Sequence, residues 1–113
     1  MSEHYTLATY RVIPGREDDF IKTWNDLAVT FTGLEHPPHW GALIRSTRDP
    51  TLFHSFGPWE NTKHIEAMRK SPEAKAAFKA LQVLCLAALS SSGTRMRNFS
   101  SVLMVSFLNP ISG

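Results

Sequence analysis

Arg11-Val12-Ile13-Pro14-Gly15-Arg16-Glu17-Asp18-Asp19-Phe20-Ile21-Lys22-Thr23-Trp24-Asn25-Asp26-Leu27-Ala28-Val29-Thr30-Phe31 is the stretch on which the fold turns. Up to Ile13 the chain is rich in Tyr, Thr, Val and Ile, and Tyr5–Ile13 reads as a strand. Pro14-Gly15 breaks it. Three acids then open a helix, placed where negative charge complements the helix dipole. Phe20, Ile21, Trp24, Leu27, Ala28 and Phe31 recur on one helical face, and Lys22, Thr23, Asn25 and Asp26 fill the other.

Beyond this junction, Thr32–His39 is a loop whose Pro37-Pro38 forbids helix. Trp40–Thr47 and Leu52–Trp59 read as two strands of a hairpin, joined by a turn at Arg48-Asp49-Pro50-Thr51. Asn61 is placed to cap a short helix that carries Ile65 and Met68 inward. Ser71-Pro72-Glu73 restarts the helix, with serine as cap and proline at the first position. Ala74, Ala77, Phe78, Leu81, Leu84 and Cys85 share a face of this second piece, which is expected to carry Leu81–Leu89. Ser90–Thr94 is expected to be a loop, Met96–Leu108 the last strand and 109–113 a tail.

Strand, helix, strand, strand, helix, strand predicts an α+β fold of the ferredoxin-like kind. Its four-stranded antiparallel sheet carries the helices on one face. All of 1–113 is expected to form one domain, its core spanning about 5–108. The strands do not alternate cleanly: Val102-Leu103-Met104-Val105, Leu43-Ile44 and Leu52-Phe53 are apolar on both sides. A sheet apolar on both faces needs a second cover. A second copy packed sheet to sheet supplies it, so a homodimer through the open face is expected.

Composition narrows the function classes. The hydrophobic share of 42% is ordinary for a globular chain. The formal charge is +2 and the basic residues are scattered, which argues against a nucleic-acid partner. No apolar run is long enough to span a bilayer and no leader pattern stands at the N-terminus, so no membrane partner and a cytoplasmic location are expected. The single cysteine, Cys85, excludes an internal disulfide. Late in a helix it reads as a small buried hydrophobe rather than a nucleophile. His36-Pro37-Pro38-His39 lacks a third ligand and is held extended by its prolines, so no metal site is expected.

The chain resembles the antibiotic biosynthesis monooxygenase family, a member of the dimeric α/β-barrel group. The resemblance rests on Arg11 to Phe20, on Trp40-Gly41-Ala42-Leu43, on Arg48-Asp49-Pro50, on Phe53 through Trp59-Glu60 and on Ser71-Pro72-Glu73-Ala74. It implies oxidation of electron-rich aromatic substrates, such as anthrones and quinols, by molecular oxygen. Many such enzymes need neither metal nor flavin, so no cofactor is expected. The substrate sits in an apolar pocket and is deprotonated before it reacts. Haem-degrading relatives carry an asparagine on the first strand and a histidine well into the following helical region. Here the strand offers Thr6 and Thr9, and the helix offers Met68, Arg69 and Lys70, so haem cleavage is disfavoured.

The resemblance places Trp59 as a pocket wall; as an isolated residue it reads more readily as a core aromatic clamping strand to helix, since buried tryptophan usually packs. Trp24 and Phe31 lie on the core-facing helix face, which would also line a pocket between helix and sheet. His64, on the first turn after Trp59, and His54, in mid-strand, are the candidate bases, since imidazole titrates near neutrality. A solvated helix position and a dimer contact are the plain alternatives. Thr9 and Arg11 share one side of the first strand with Tyr5; Arg11 would hold an anionic substrate or a salt bridge. The expected pocket is therefore walled by Trp59, Trp24 and Phe56, with His54 or His64 supplying polarity. Such a site would suit a small aromatic or polyketide-type substrate in a cofactor-independent monooxygenase. The alternative is a non-catalytic dimeric ligand-binding or stress-response module holding a small apolar or aromatic ligand.

Overall fold

The computed structural model describes residues 4–94 and 102–108. Its elements are β1 (His4–Val12), α1 (Glu17–Thr32), β2 (Gly41–Ser46), β3 (Leu52–Trp59), α2 (Thr62–Lys70), α3 (Pro72–Gln82), β4 (Cys85–Thr94) and β5 (Val102–Leu108). The strands form one antiparallel sheet in the order β4-β1-β3-β2-β5. The first four make the ferredoxin-like arrangement expected from the sequence, and β5 extends it along the outer edge of β2.

The end of the chain corrects three expectations. Helix α3 stops at Gln82, so Cys85 is not late in a helix but opens β4. Ser90–Thr94 is not a loop: it pairs with His4–Ala8 of β1. The last strand is two strands, of which only β5 falls within Met96–Leu108; 95–101 and the 109–113 tail lie outside the described residues. The physical reason is tertiary. Serine and glycine have little strand preference of their own, but the free edge of β1 offers backbone partners to whatever chain lies beside it.

Local chemistry explains the rest. Gly15, with φ of +92°, takes the left-handed conformation that turns β1 into α1. Its N–H donates to Glu17 Oε1 at 2.8 Å. Asn61 Oδ1 accepts from the His64 N–H at 3.0 Å, and Ser71 Oγ accepts from the Ala74 N–H at 3.3 Å, so both expected caps are in place. Phe20 sits fully buried between Tyr10 and Phe53, with ring centroids 5.1 and 4.9 Å away. Around it α1 lays Trp24, Leu27 and Ala28 on Ala8, Val12 and Leu43, with Leu81 of α3 alongside. Gly57 marks a close backbone approach, for a Cβ there would lie 2.3 Å from the Trp40 carbonyl oxygen.

Candidate active site

Strand alternation divides β1 and β3 between two faces. Ala8, Tyr10 and Val12 pack into the core under the helices with Phe53, and Thr6, Ser55 and Trp59 point the same way. Tyr5, Leu7, Thr9 and Arg11 take the opposite face with His54 and Phe56. On the helix side two indoles meet two hydroxyls. Trp24 Nε1 donates to Ser55 Oγ at 2.8 Å, and Trp59 Nε1 donates to Thr6 Oγ1 at 3.0 Å. Both tryptophans are almost wholly buried. Phe31 of α1 presents its ring edge-on to Trp59 at 5.9 Å and to Phe78 of α3 at 5.7 Å.

Thr6, Ser55, Phe31 and Phe78 also border a cavity of about 230 Å³ between helices and sheet, which the two indoles support from behind the hydroxyls without lining it. Thr6, Ala8, Tyr10, Ser55 and Ala88 form its sheet side. Leu27 and Phe31, Met68 and Arg69, and Phe78 and Gln82 line it from α1, α2 and α3. The volume falls below the roughly 300–1,000 Å³ of sites for drug-sized ligands and suits a ligand of one or two rings. Apolar walls exclude water, and a few fixed donors orient what enters. Each hydroxyl that accepts an indole N–H keeps its own O–H to donate. Burial, with a smaller contribution from the Cys85 thiolate, pushes the Tyr10 phenol above its usual range, so it stays protonated at neutral pH.

Of the expected site residues, the fold brings Trp59 and Trp24 together, one on each indole–hydroxyl pair, with Phe56 on the edge of the same small space. The others are elsewhere. Phe56 borders a smaller space of about 40 Å³ beside the tryptophans, but alternation turns its ring to the open face, against Trp40 at 5.7 Å. His54 and Thr9 are also on the open face, joined Nδ1 to Oγ1 at 3.0 Å. Burial holds the His54 imidazole below its ordinary pKa. Arg11 pairs with Asp49 in the hairpin turn. There Thr51 and Arg11 hold the Asp49 carboxyl down at about 2. His64 stacks flat on His36, centroids 4.0 Å apart at 5°, in a separate open cleft. Met68 lines both that cleft and the central cavity. Trp59, Trp24 and Phe56 thus do border one small space, but neither His54 nor His64 lines it, and none of the three lines the larger cavity. A one-residue step along β3 sends neighbouring side chains to opposite faces.

The residues that sequence reasoning passed over are Ser55, Thr6, Phe78, Arg69 and Gln82. Ser55 had a legible signal: four residues before Trp59 in a strand, it must share the tryptophan's face. Gln82 had none, because only the packing of α3 brings it to the cavity. Among the described residues no three His, Cys, Asp or Glu side chains are grouped to hold a metal ion, and no helix is long and apolar enough to cross a membrane. The Cys85 thiol is pushed up by burial, which fits a packing role.

A small ferredoxin-like sheet with an aromatic cavity beneath its helices is the class of protein these features define. The chain belongs to the antibiotic biosynthesis monooxygenase family, whose model matches residues 4–80. No curated protein matches the sequence. Solved structures share the fold. A Bordetella bronchiseptica protein described provisionally as an antibiotic biosynthesis monooxygenase is 20% identical, with a TM-score of 0.74 over 86% of this chain and 100% of that one. A Caulobacter crescentus protein so described is 19% identical, at 0.71 over 85% and 92%. SnoaB, a cofactor-independent oxygenase of Streptomyces nogalater, is 16% identical, at 0.67 over 88% and 97%.

Proposed function

We propose that the chain is a monooxygenase that oxidises a small aromatic, quinol- or anthrone-like substrate with molecular oxygen, without a cofactor, as a homodimer. The observation that carries this reading is the cavity of about 230 Å³ with Thr6 and Ser55 hydroxyls on one side and Leu27, Phe31, Met68 and Phe78 on the others. Such walls hold an electron-rich ring away from water, and the hydroxyl donors stabilise the negative charge that builds on a ring oxygen as the ring gives electrons to oxygen. Overall, a ring CH2 would become a carbonyl, one oxygen atom of O2 staying on carbon and the other leaving as water. Family membership and the fold shared with SnoaB support the same reaction.

The dimer reading rests on the open face. Leu7, half-buried, and the aromatic group of Tyr5, Trp40 and Phe56 present apolar surface there. A second sheet laid against that face would remove it from water.

Oxygen uptake by the purified protein with a panel of anthrones and hydroquinones tests the proposal. Uptake above the uncatalysed rate is expected to fall at least tenfold in Trp59→Phe, which keeps an aromatic ring but loses the N–H donor to Thr6, and to stay within twofold in His64→Ala. Tight binding of the panel with no uptake would replace the enzyme with a ligand-binding module. Loss of uptake in His64→Ala with Trp59→Phe unaffected would move the chemistry to the other cleft.

A further inference from the structure

The polar inventory of the cavity is one-sided. Its lining includes no Asp, Glu, His or Lys, so no carboxylate, imidazole or amine faces the ligand. Thr6 and Ser55 each use a lone pair on an indole and have an O–H left to give. Arg69, exposed in the last turn of α2, is the one charged residue of the lining, and it makes no ion pair among the described residues. Gln82 of α3, also exposed, adds an amide. The Thr6, Ser55 and Tyr10 hydroxyls and the Gln82 amide can each donate to an entering ligand, and the Arg69 guanidinium is the one group there that can only donate. Guanidinium presents planar forked N–H groups that match an oxyanion. Lys70 has the same charge at the same helix end but does not line the cavity. A role in offsetting the helix dipole would therefore be common to both residues, whereas contact with a ligand is open to Arg69 alone.

From this we infer that the cavity selects an aromatic oxyanion, a carboxylate or an ionised phenol or enol, with its charge at Arg69 and Gln82 and its ring between Phe31, Met68 and Phe78. The inference rests on reading this cavity as the substrate site, and it names the substrate's charge. An ionised phenol or enol also arrives with the charge its oxidation needs, so it requires no carboxylate, imidazole or amine base, which the lining does not supply.

Calorimetric titration at pH 7 with 2-naphthoate and with 2-naphthamide, its neutral analogue of the same shape, tests it. The protein is expected to bind the naphthoate at least tenfold more tightly. Arg69→Gln, a change at an exposed position, should bring the two affinities within about threefold while leaving the naphthamide value unchanged. Lys70→Gln should leave the ratio as it was. Equal affinities in the unmodified protein, or a preference that survives Arg69→Gln, would overturn the oxyanion assignment and leave the cavity as a neutral-ligand site. Failure of both compounds to bind would overturn the substrate-site reading and the inference with it.

Discussion

Ser55→Ala is the perturbation that most directly questions the cavity's construction. It removes the acceptor of the Trp24 N–H, a 2.8 Å bond to an indole that is 3% exposed. A hydrogen bond of this kind contributes about 0.5–1.5 kcal/mol net, and leaving a buried donor unpaired costs about 1–3 kcal/mol. Because the side chains around so small a deletion relax in part, a loss of about 1–2 kcal/mol is expected. A domain near this size shifts its midpoint by roughly 4–8 °C per kcal/mol, so the Tm should fall by ~4–16 °C. Trp24→Phe removes the donor and leaves a void, so its own loss mixes several effects. The double variant separates them: with no indole N–H to satisfy, Ser55→Ala should cost little more in the Trp24→Phe background. The coupling between the two sites should therefore be about 1 kcal/mol. Urea unfolding followed by circular dichroism, at one fixed protein concentration so that association cannot shift the midpoints, measures all four proteins. Single losses that add to within about 0.3 kcal/mol of the double would show that the bond does not organise the site.

Other perturbations reach other parts of the fold. Gly57→Ala would drive a methyl onto the Trp40 carbonyl oxygen and force β2 away from β3; overpacking of this kind costs about 1–3 kcal/mol, read from the urea midpoint, and an unchanged midpoint would count against the close approach. His54 is held below its ordinary pKa of 6.5 by burial, so the unfolded chain takes up the proton first. Stability should be full above that value and fall as the pH drops below it, with a shallower fall in His54→Gln; a profile identical in the two proteins from pH 7.5 to 5 would refute this. Cys85, its thiol pushed up by burial, should react with a disulfide reagent at pH 7.5 more slowly than free cysteine, and reaction at the free rate would show an open site.

The legible parts of this protein are those written in local pattern. The apolar recurrence from Phe20 to Phe31 fixes one face of α1 whatever it packs against, and the caps at Asn61 and Ser71 satisfy backbone donors through side chains only three residues away. Pro14-Gly15 and Asp49-Pro50-Thr51 set their turns by their own backbone preferences. The order of these elements was enough to give the ferredoxin-like core. The C-terminal part is not legible in this way, because Ser90–Thr94 has no strand pattern of its own and takes its conformation from the β1 edge, which lies more than eighty residues away in sequence.

The site divides in the same way. Sequence by itself determined that Trp59 and Trp24 would be large buried aromatics near one another's elements, since resemblance and periodicity place both on the faces between helix and sheet. The period of two also puts Ser55 on the face of Trp59 and His54 and Phe56 on the other, which the expected grouping of Phe56 and His54 with Trp59 did not respect; which of the two faces the helices cover is not written in the strand. Only the tertiary structure decided this. The packing of α1 on β1 and β3 sets Trp24 against Ser55, and the turn from α2 into α3 brings Arg69 and Gln82 to one cavity. The same packing leaves His64 on His36, outside that cavity. Side-chain periodicity is a property of a few consecutive residues, whereas a cavity is the space left when several elements have packed, and no single segment carries its shape.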